Sequence, residues 1–108
     1  MDKEFEINQA NKIKSKYVCD IVFKEESPYT LYCASDISNI LEISNIRSVT
    51  INYNKEYKVK LLKHTNGGKQ QVTFLTYLGL IRLLQNSRKT KSLELYNVLD
   101  IKVNNCVF

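Results

Sequence analysis

The sequence predicts an α+β domain in which a small antiparallel sheet, including a central hairpin, packs with about four helices. Two segments rich in β-branched and aromatic residues flank a Ser-Pro turn, and two alternating segments flank a Gly-Gly turn. Apolar residues recur at helical spacing after each of these strand pairs. Strand pairs and helices therefore follow one another in blocks, without the regular βαβ alternation of a parallel sheet. A length of 108 residues suits one such domain.

The first sixteen residues are polar, and their large apolar side chains are limited to Phe5, Ile7 and Ile13. Such a segment offers no continuous apolar stripe for burial, so we expect either a loosely held arm or a short helix. The single domain is placed at residues 17–108.

Two strands are predicted next. The first runs from Tyr17 to Phe23 (YVCDIVF), and the chain returns as a second strand from Thr30 to Cys33. Ser27-Pro28 supplies the turn, because the residue before a proline is kept out of the helical region and proline fixes its own φ.

Two short helices are predicted after these strands. Helical spacing of apolar residues places the first from Asp36 to Ile43, with Ser35 as its N-cap. Asp36 falls in the first turn, where the helix dipole favours a carboxylate, so it has either this stabilising role or a direct functional one. Ser44-Asn45 can cap the second short helix, which carries Ile46 and Val49.

A hairpin is predicted around the Asn-Gly pair at residues 66–67, a sequence favoured in two-residue turns. With that turn, Leu61 falls opposite Val72 and Val59 falls opposite Phe74. A shift of one residue would place these apolar side chains against polar neighbours, so the register is strongly specified.

Two helices are predicted after the hairpin. The first has Thr76 as its N-cap and an apolar stripe made of Tyr77, Leu80, Ile81 and Leu84. The second has Thr90 as its N-cap and the inward-facing residues Leu95, Val98 and Leu99.

Positive charge is concentrated in one segment of the chain. The whole sequence carries a formal net charge of +5, yet residues 55–91 contain nine Lys or Arg residues and one acid, Glu56. A surface kept soluble by charge normally intersperses both signs. DNA binding requires a dense basic surface that neutralises phosphates and releases counterions, so this segment predicts contact with nucleic acid.

The candidate contact residues form two groups. The hairpin group consists of Lys58, Lys60, Lys63, His64 and Lys69, and we expect Lys58 and Lys60 to point outward together. The second group, on the following helix and its connector, consists of Arg82, Arg88, Lys89 and Lys91. Contact with the phosphate backbone is the expected role of the second group.

Base contacts are predicted from the hairpin, because a two-stranded ribbon is narrow enough to enter the major groove of DNA. His64 and either Gln70 or Gln71 could then approach base edges. Stacking on bases is a further option for Tyr53 and Tyr57. The other tyrosines considered fall at predicted core positions, namely Tyr17, Tyr32 and Tyr96.

Catalysis has little support in the sequence. His64 is the only histidine, and no residue near it offers a nucleophile or an orienting carboxylate, so we expect no enzyme activity and no small-molecule substrate. Gly67-Gly68 lacks the following Lys-Ser/Thr of a phosphate-binding loop. The three cysteines lack the spacing of a zinc site or a disulfide framework, so we expect no metal, no cofactor and inert, mostly buried thiols at Cys19, Cys33 and Cys106.

The N-terminal sequence and the hydropathy of the chain favour an intracellular protein. The sequence begins MDKEFEINQA, without the apolar core of a secretory signal. No stretch reaches the roughly 20 apolar residues of a membrane span, so we expect no membrane contact.

Three stretches carry a likeness to a known family, namely YCASDISNILEISNI (Tyr32 to Ile46), GGKQQVTFLTYLGLIRLLQNSRK (Gly67 to Lys89) and Leu93 to Val103. They resemble the Bro N-terminal domain of large DNA viruses and phages. The matching positions are Asp36, Leu41, Gly79, Leu80, Leu83, Ser87 and Arg88. The chain differs from the family where an acidic residue precedes the Gly-Leu pair, here Tyr77 or Leu78, and where a Trp is usual, here Val98.

The resemblance implies a DNA-binding or regulatory protein of viral or phage type. The unpaired cysteines fit a reducing compartment, so we expect the cytoplasm or nucleus of a host cell. In the family this domain is often the N-terminal part of a longer protein, so the chain is expected to be either a stand-alone domain or one part of such a protein. The alternative is a protein-interaction or self-association module whose basic face meets acidic proteins. The sequence leaves open the choice between DNA and RNA, and it leaves open a homodimer.

Overall fold

The computed structural model describes residues 2–101, apart from the Thr65 side chain. It confirms the α+β class. The described elements are, in chain order, α1 Lys3–Lys16, β1 Ile21–Phe23, β2 Thr30–Cys33, α2 Ala34–Leu41, α3 Ile46–Val49, β3 Lys58–Thr65, β4 Gly68–Thr76, α4 Tyr77–Gln85 and α5 Thr90–Val98. The four strands form one sheet in the order β1-β2-β4-β3, and each neighbouring pair is antiparallel.

The polar N-terminal segment is a helix of 14 residues, so the alternative of a loosely held arm is wrong. Its inner face is half polar, which hides the helical stripe in the sequence. Ala10 and Ile13 enter the main core, and the buried Gln9 lies beside them. The Gln9 side-chain amide donates to Tyr77 Oη at 3.0 Å and to the Leu99 carbonyl oxygen at 3.0 Å. These hydrogen bonds offset the free-energy cost of burying a polar helix face.

The first predicted strand is shorter than expected, whereas the second matches its predicted bounds. Tyr17 ends α1, because its backbone N–H donates to the Ile13 carbonyl oxygen at 2.8 Å. Pairing with β2 therefore begins only at Ile21, which lies opposite Tyr32. The turn between the strands contains Pro28, as predicted.

The chain passes from β2 directly into α2, and this corrects the predicted helix start. Cys33 is the N-cap residue, without a side-chain capping hydrogen bond, and Ser35 lies inside the helix. Asp36 lies in the first turn, and its carboxylate accepts a hydrogen bond of 2.8 Å from the Asp20 backbone N–H. The prediction for α3 is confirmed, since the Asn45 side chain accepts from the Ser48 N–H at 3.3 Å.

The predicted hairpin register is confirmed. Residues 66–67 form the turn, Leu61 pairs with Val72, and Val59 pairs with Phe74. Gly68 follows with φ +97°, a left-handed conformation that costs least in glycine.

The two faces of the sheet belong to different apolar clusters. Tyr32 and Leu75 pair across β2 and β4 and join the main core with buried residues of α1, α2, α4 and α5. The opposite face contributes a smaller cluster of Leu31, Cys33 and Phe74, with Val22, Val59, Leu61 and Val72 packed against it. The apolar residues of the hairpin therefore lie in the smaller cluster.

The last two helices follow the predicted pattern, with one correction. Thr76 caps α4, because its hydroxyl oxygen accepts from the Gly79 N–H at 3.0 Å. The N-cap residue of α5 is Lys89, without a side-chain capping hydrogen bond, so the predicted cap at Thr90 is wrong. Leu95 and Leu99 are buried in the core, and Val98 is partly buried against it.

Candidate nucleic-acid interface

Alternation along the two hairpin strands sorts the candidate residues onto two faces. Residues that pair across an antiparallel ladder share a face, and so do residues two apart along one strand. We call the face shared with Leu75 the groove face; its hairpin residues are Lys58, Lys60, Leu62, His64, Lys69, Gln71 and Thr73. The opposite, apolar face carries Val59, Leu61, Lys63, Gln70, Val72 and Phe74. The predicted grouping of Lys58 with Lys60 on one face is confirmed.

A groove of about 510 Å³ lies between the groove face and the helices α2 and α3. One wall is the start of α2, the second wall is α3 with the two residues after it, and the hairpin forms the floor. None of its lining residues is acidic; they are Ala34, Ser35, Ile46, Arg47, Thr50, Ile51, Lys58, Lys60, Gln71, Val72 and Thr73. Three basic side chains therefore share one concave surface that contributes no negative charge.

Lys58 does not project freely, contrary to the expectation that it points outward with Lys60. Its ammonium group donates to the carbonyl oxygens of Thr50 at 2.8 Å and Ile51 at 3.2 Å. These carbonyl groups follow α3, so Lys58 fixes the wall of the groove to its floor. Lys60 is exposed, and so is Arg47 across the groove.

Lys63 lies on the apolar face, away from Lys60. Its ammonium group forms an ion pair with the Asp20 carboxylate and lies 5.3 Å from the centre of the Phe74 ring. Strand alternation explains this placement, because positions 58, 60 and 64 lie on one face of β3 and position 63 lies on the other. Lys63 covers the smaller apolar cluster and has its charge partly neutralised.

The same alternation separates the two glutamines. Gln71 pairs with Leu62 on the groove face and lines the groove, whereas Gln70 pairs with Lys63 on the apolar face. His64 and Lys69 form an exposed cross-strand pair near the tip of the hairpin. Of the two glutamines considered from the sequence, Gln71 is thus the one that accompanies His64, Lys60 and Lys69.

Arg82 lies on α4 against the two tyrosines predicted for base stacking. Its guanidinium carbon is 4.9 Å from the Tyr57 ring centre and 5.6 Å from the Tyr53 ring centre. The two rings meet edge to face with centres 5.7 Å apart. Desolvation by burial raises the pKa of Tyr53, against the smaller lowering effects of Asn86 and Arg82. These distances are those of a cation–π arrangement, which covers part of the aromatic surface of each ring.

The remaining basic residues surround the start of α5. The Lys89 ammonium group donates to the Glu42 carbonyl oxygen at the end of α2, and Lys91 pairs with Glu94 at 3.5 Å. Arg88 is exposed. Neither this connector nor Arg82 contributes to the lining of the groove.

Arg47 is the groove residue that sequence reasoning missed. It belongs to a segment, residues 1–54, in which acids outnumber bases, so the charge pattern gave it no weight. The N-cap at Asn45 predicted α3 correctly, but no local signal places α3 beside the hairpin. A tertiary contact brings Arg47 to the groove.

The thiols and the acidic side chains offer little metal chemistry within residues 2–101. Burial raises the pKa of Cys19 to about 12, with a further contribution from Asp36, and burial also raises the pKa of Cys33. A thiol held neutral is a poor ligand and a poor nucleophile. The described part of the chain holds no group of three or more His, Cys, Asp or Glu side chains suited to a metal ion. Cys106 lies outside the described residues.

A comparison with family models identifies the family of this chain. The model described as the N-terminal domain of the BRO family matches residues 18–104. The chain belongs to the BRO family. No curated protein and no solved structure matches it.

The BRO N-terminal domain, as matched here, begins just after α1 and includes every residue of the groove. Helix α1 precedes the matched region but packs on the same core through Ala10 and Ile13. None of the helices between residues 2 and 101 combines the length and apolarity that a bilayer-spanning segment requires.

Proposed function

We propose that this BRO N-terminal domain binds double-stranded DNA through the groove face. The observation that carries the proposal is the concave surface with Arg47, Lys58 and Lys60 and without any acidic lining residue. Neutralisation of backbone phosphates supplies most of the affinity of a protein for DNA, and it requires such an unopposed cluster of cations. The DNA-binding role implied by the family resemblance agrees with this surface.

The basic side chains of the groove would have different roles in DNA binding. Lys60 is exposed on the floor of the groove and Arg47 is exposed on its α3 wall, so both can reach phosphates directly. Lys58 adds positive charge but acts mainly as a brace, because its hydrogen bonds hold α3 in place. Lys69 extends the basic surface to the tip of the hairpin, beside His64.

The second basic group would make flanking contacts. Arg88 is exposed and can approach a phosphate beyond the groove. Lys89, Lys91 and Lys63 each have a partner within the domain, so we assign them structural roles first. Arg82 would act by holding Tyr53 and Tyr57 in place.

A salt titration with matched charge reversals tests the proposal. Log affinity for a 25-base-pair duplex should fall linearly with log salt, with a slope of about −0.9 per neutralised phosphate. Lys60→Glu and Arg47→Glu should each weaken binding. Each should also make the slope less negative by about 0.9, the contribution of one phosphate contact. Lys24→Glu is the control, because it makes the same charge change in the β1–β2 turn at the opposite edge of the sheet.

Two outcomes would overturn the proposal. One is the absence of duplex binding at low salt, which would favour the alternative of an interaction module for acidic proteins. The other is an equal loss of affinity in Lys24→Glu and Lys60→Glu, which would show that net charge rather than the groove face governs binding.

The viral regulatory role, the intracellular location and the lack of enzyme activity stay predictions.

A further inference from the structure

Leu62 and Gln71 form a cross-strand pair in the middle of the exposed part of the groove face. Leu62 is 64% exposed, although large apolar residues are favoured at buried positions. It also breaks the alternation of β3, since Val59 and Leu61 supply the apolar face and position 62 falls on the polar one. Gln71 is exposed beside it, and within the described residues no hydrogen bond is found for its side-chain amide.

Cations flank this pair on both sides along the ribbon. The row on one side is Lys60 with Thr73, and the row on the other side is His64 with Lys69. The two rows are four positions apart along β3, which corresponds to about 13 Å. The major groove of DNA is about 12 Å wide. Lys60 and Lys69 are therefore spaced to reach the phosphates on either side of the DNA major groove. Leu62 and Gln71 would then face the base pairs at the bottom of that DNA groove.

The chemistry of the pair matches one kind of base pair. A glutamine amide can form two hydrogen bonds with the N6 and N7 edge of adenine, and an apolar side chain can contact the 5-methyl group of thymine. We propose that Leu62 and Gln71 read an A·T base pair in the major groove of DNA. The inference rests on the proposed DNA binding and adds a base preference to it. Double-helical RNA would not offer this pair of contacts, because its major groove is too narrow for side chains to read and uracil lacks the methyl group.

Replacement of thymine by uracil in an otherwise identical A·T-rich duplex tests the Leu62 contact. The full chain should lose affinity by about fourfold, the value expected when one buried methyl group is removed. Leu62→Ala should bind both duplexes equally, because the side chain that contacts the methyl group is absent. Leu62 is exposed, so the variant should fold. Circular dichroism and thermal melting should be used to check its fold before binding is measured.

Substitution of the two glutamines tests the second contact with an internal control. Gln71→Ala should reduce the preference for A·T-rich over G·C-rich duplex by about tenfold, because a bidentate amide–adenine pair is lost. Gln70→Ala changes the neighbouring residue on the opposite face and should leave that preference unchanged. A duplex with 7-deazaadenine, which lacks the N7 acceptor, should weaken binding of the wild type but not of Gln71→Ala.

The outcomes separate this inference from the proposed function. Salt-dependent binding with equal affinity for thymine and uracil duplexes, and with equal effects of Gln70→Ala and Gln71→Ala, overturns the A·T inference and leaves the DNA-binding proposal intact. Absence of salt-dependent binding to every duplex overturns both. A thymine preference that persists in Leu62→Ala overturns the assignment of the methyl contact to Leu62.

Discussion

Gly79 in α4 packs directly against the backbone carbonyl group of Tyr57. A Cβ atom at position 79 would overlap the carbonyl oxygen and lie 2.9 Å from the carbonyl carbon. The same oxygen accepts a hydrogen bond of 2.9 Å from the Thr76 N–H. The start of α4 is thereby fixed to the residue that precedes β3, and through β3 to the floor of the groove.

Gly79→Ala should destabilise the protein by about 2 kcal/mol, the range typical of an overpacked interior. In an exposed helix, replacement of Gly by Ala would instead stabilise by about 1 kcal/mol, so the sign of the change reports the contact with Tyr57. Urea denaturation measures this change in the free energy of unfolding. Gly68→Ala is the comparison, because it meets no atom within 4 Å and suffers only from its positive φ. Unchanged or increased stability of Gly79→Ala would refute the contact.

The fold was predictable where local chemistry and the pleat acted together. An Asn-Gly turn and a two-residue period leave one register in which Leu61 meets Val72, and the structure has that register. Helix α1 was predicted only as one of two alternatives, because Glu6 and Gln9 occupy its inner face. The groups that satisfy these polar side chains lie far along the chain, at Thr30, Tyr77 and Leu99.

The candidate site was only partly predictable for the same reason. Strand alternation alone separates Lys63 from Lys60, so that division follows from the sequence once the strands are known. The role of Lys58 as a brace depends on carbonyl groups at Thr50 and Ile51, which become neighbours only in the folded chain. Arg47 likewise reaches the groove through the packing of α3 beside the hairpin.

Lys58 and Lys60 should respond differently to the loss of their charge. Lys58→Met removes the hydrogen bonds to the Thr50 and Ile51 carbonyl groups, of which the Thr50 carbonyl keeps the Tyr53 N–H as a donor. The loss should cost about 2 kcal/mol, since hydrogen bonds from charged groups contribute about 1.5–3 kcal/mol. Lys60→Met should change stability by less than about 0.5 kcal/mol, as exposed residues usually do. Urea denaturation of both variants measures the difference. Equal stabilities would show that the Lys58 hydrogen bonds do not brace α3.

Alkaline pH should destabilise the domain through Cys19. Burial raises the pKa of this thiol from 9.0 to about 12, so the folded state holds the proton more tightly than the unfolded chain. The resulting stabilisation is complete below pH 9 and is lost as the pH rises from about 9 towards 12. Melting temperatures measured between pH 7 and 11 should therefore fall more steeply in the wild type than in Cys19→Ala.

The raised pKa also predicts slow alkylation of Cys19 by iodoacetamide at pH 8, because the thiolate is the reactive species. Unfolding in urea should accelerate the reaction, and mass mapping of the modified peptide assigns it to Cys19. Native alkylation at the rate of the unfolded chain would contradict the burial of this thiol.

Gln9 should contribute strongly to stability, although it lies in a polar segment that precedes the matched family region. Its amide is buried and donates to Tyr77 Oη and to the Leu99 carbonyl oxygen, so it joins α1 to α4 and to the end of α5. Gln9→Ala removes both hydrogen bonds and leaves a buried acceptor unpaired, which should cost about 2–3 kcal/mol. Asn8→Ala is the matched control on the exposed face and should stay within about 0.5 kcal/mol of the wild type. If urea denaturation gives equal midpoints for the two variants, α1 rests on the core without these hydrogen bonds supporting it.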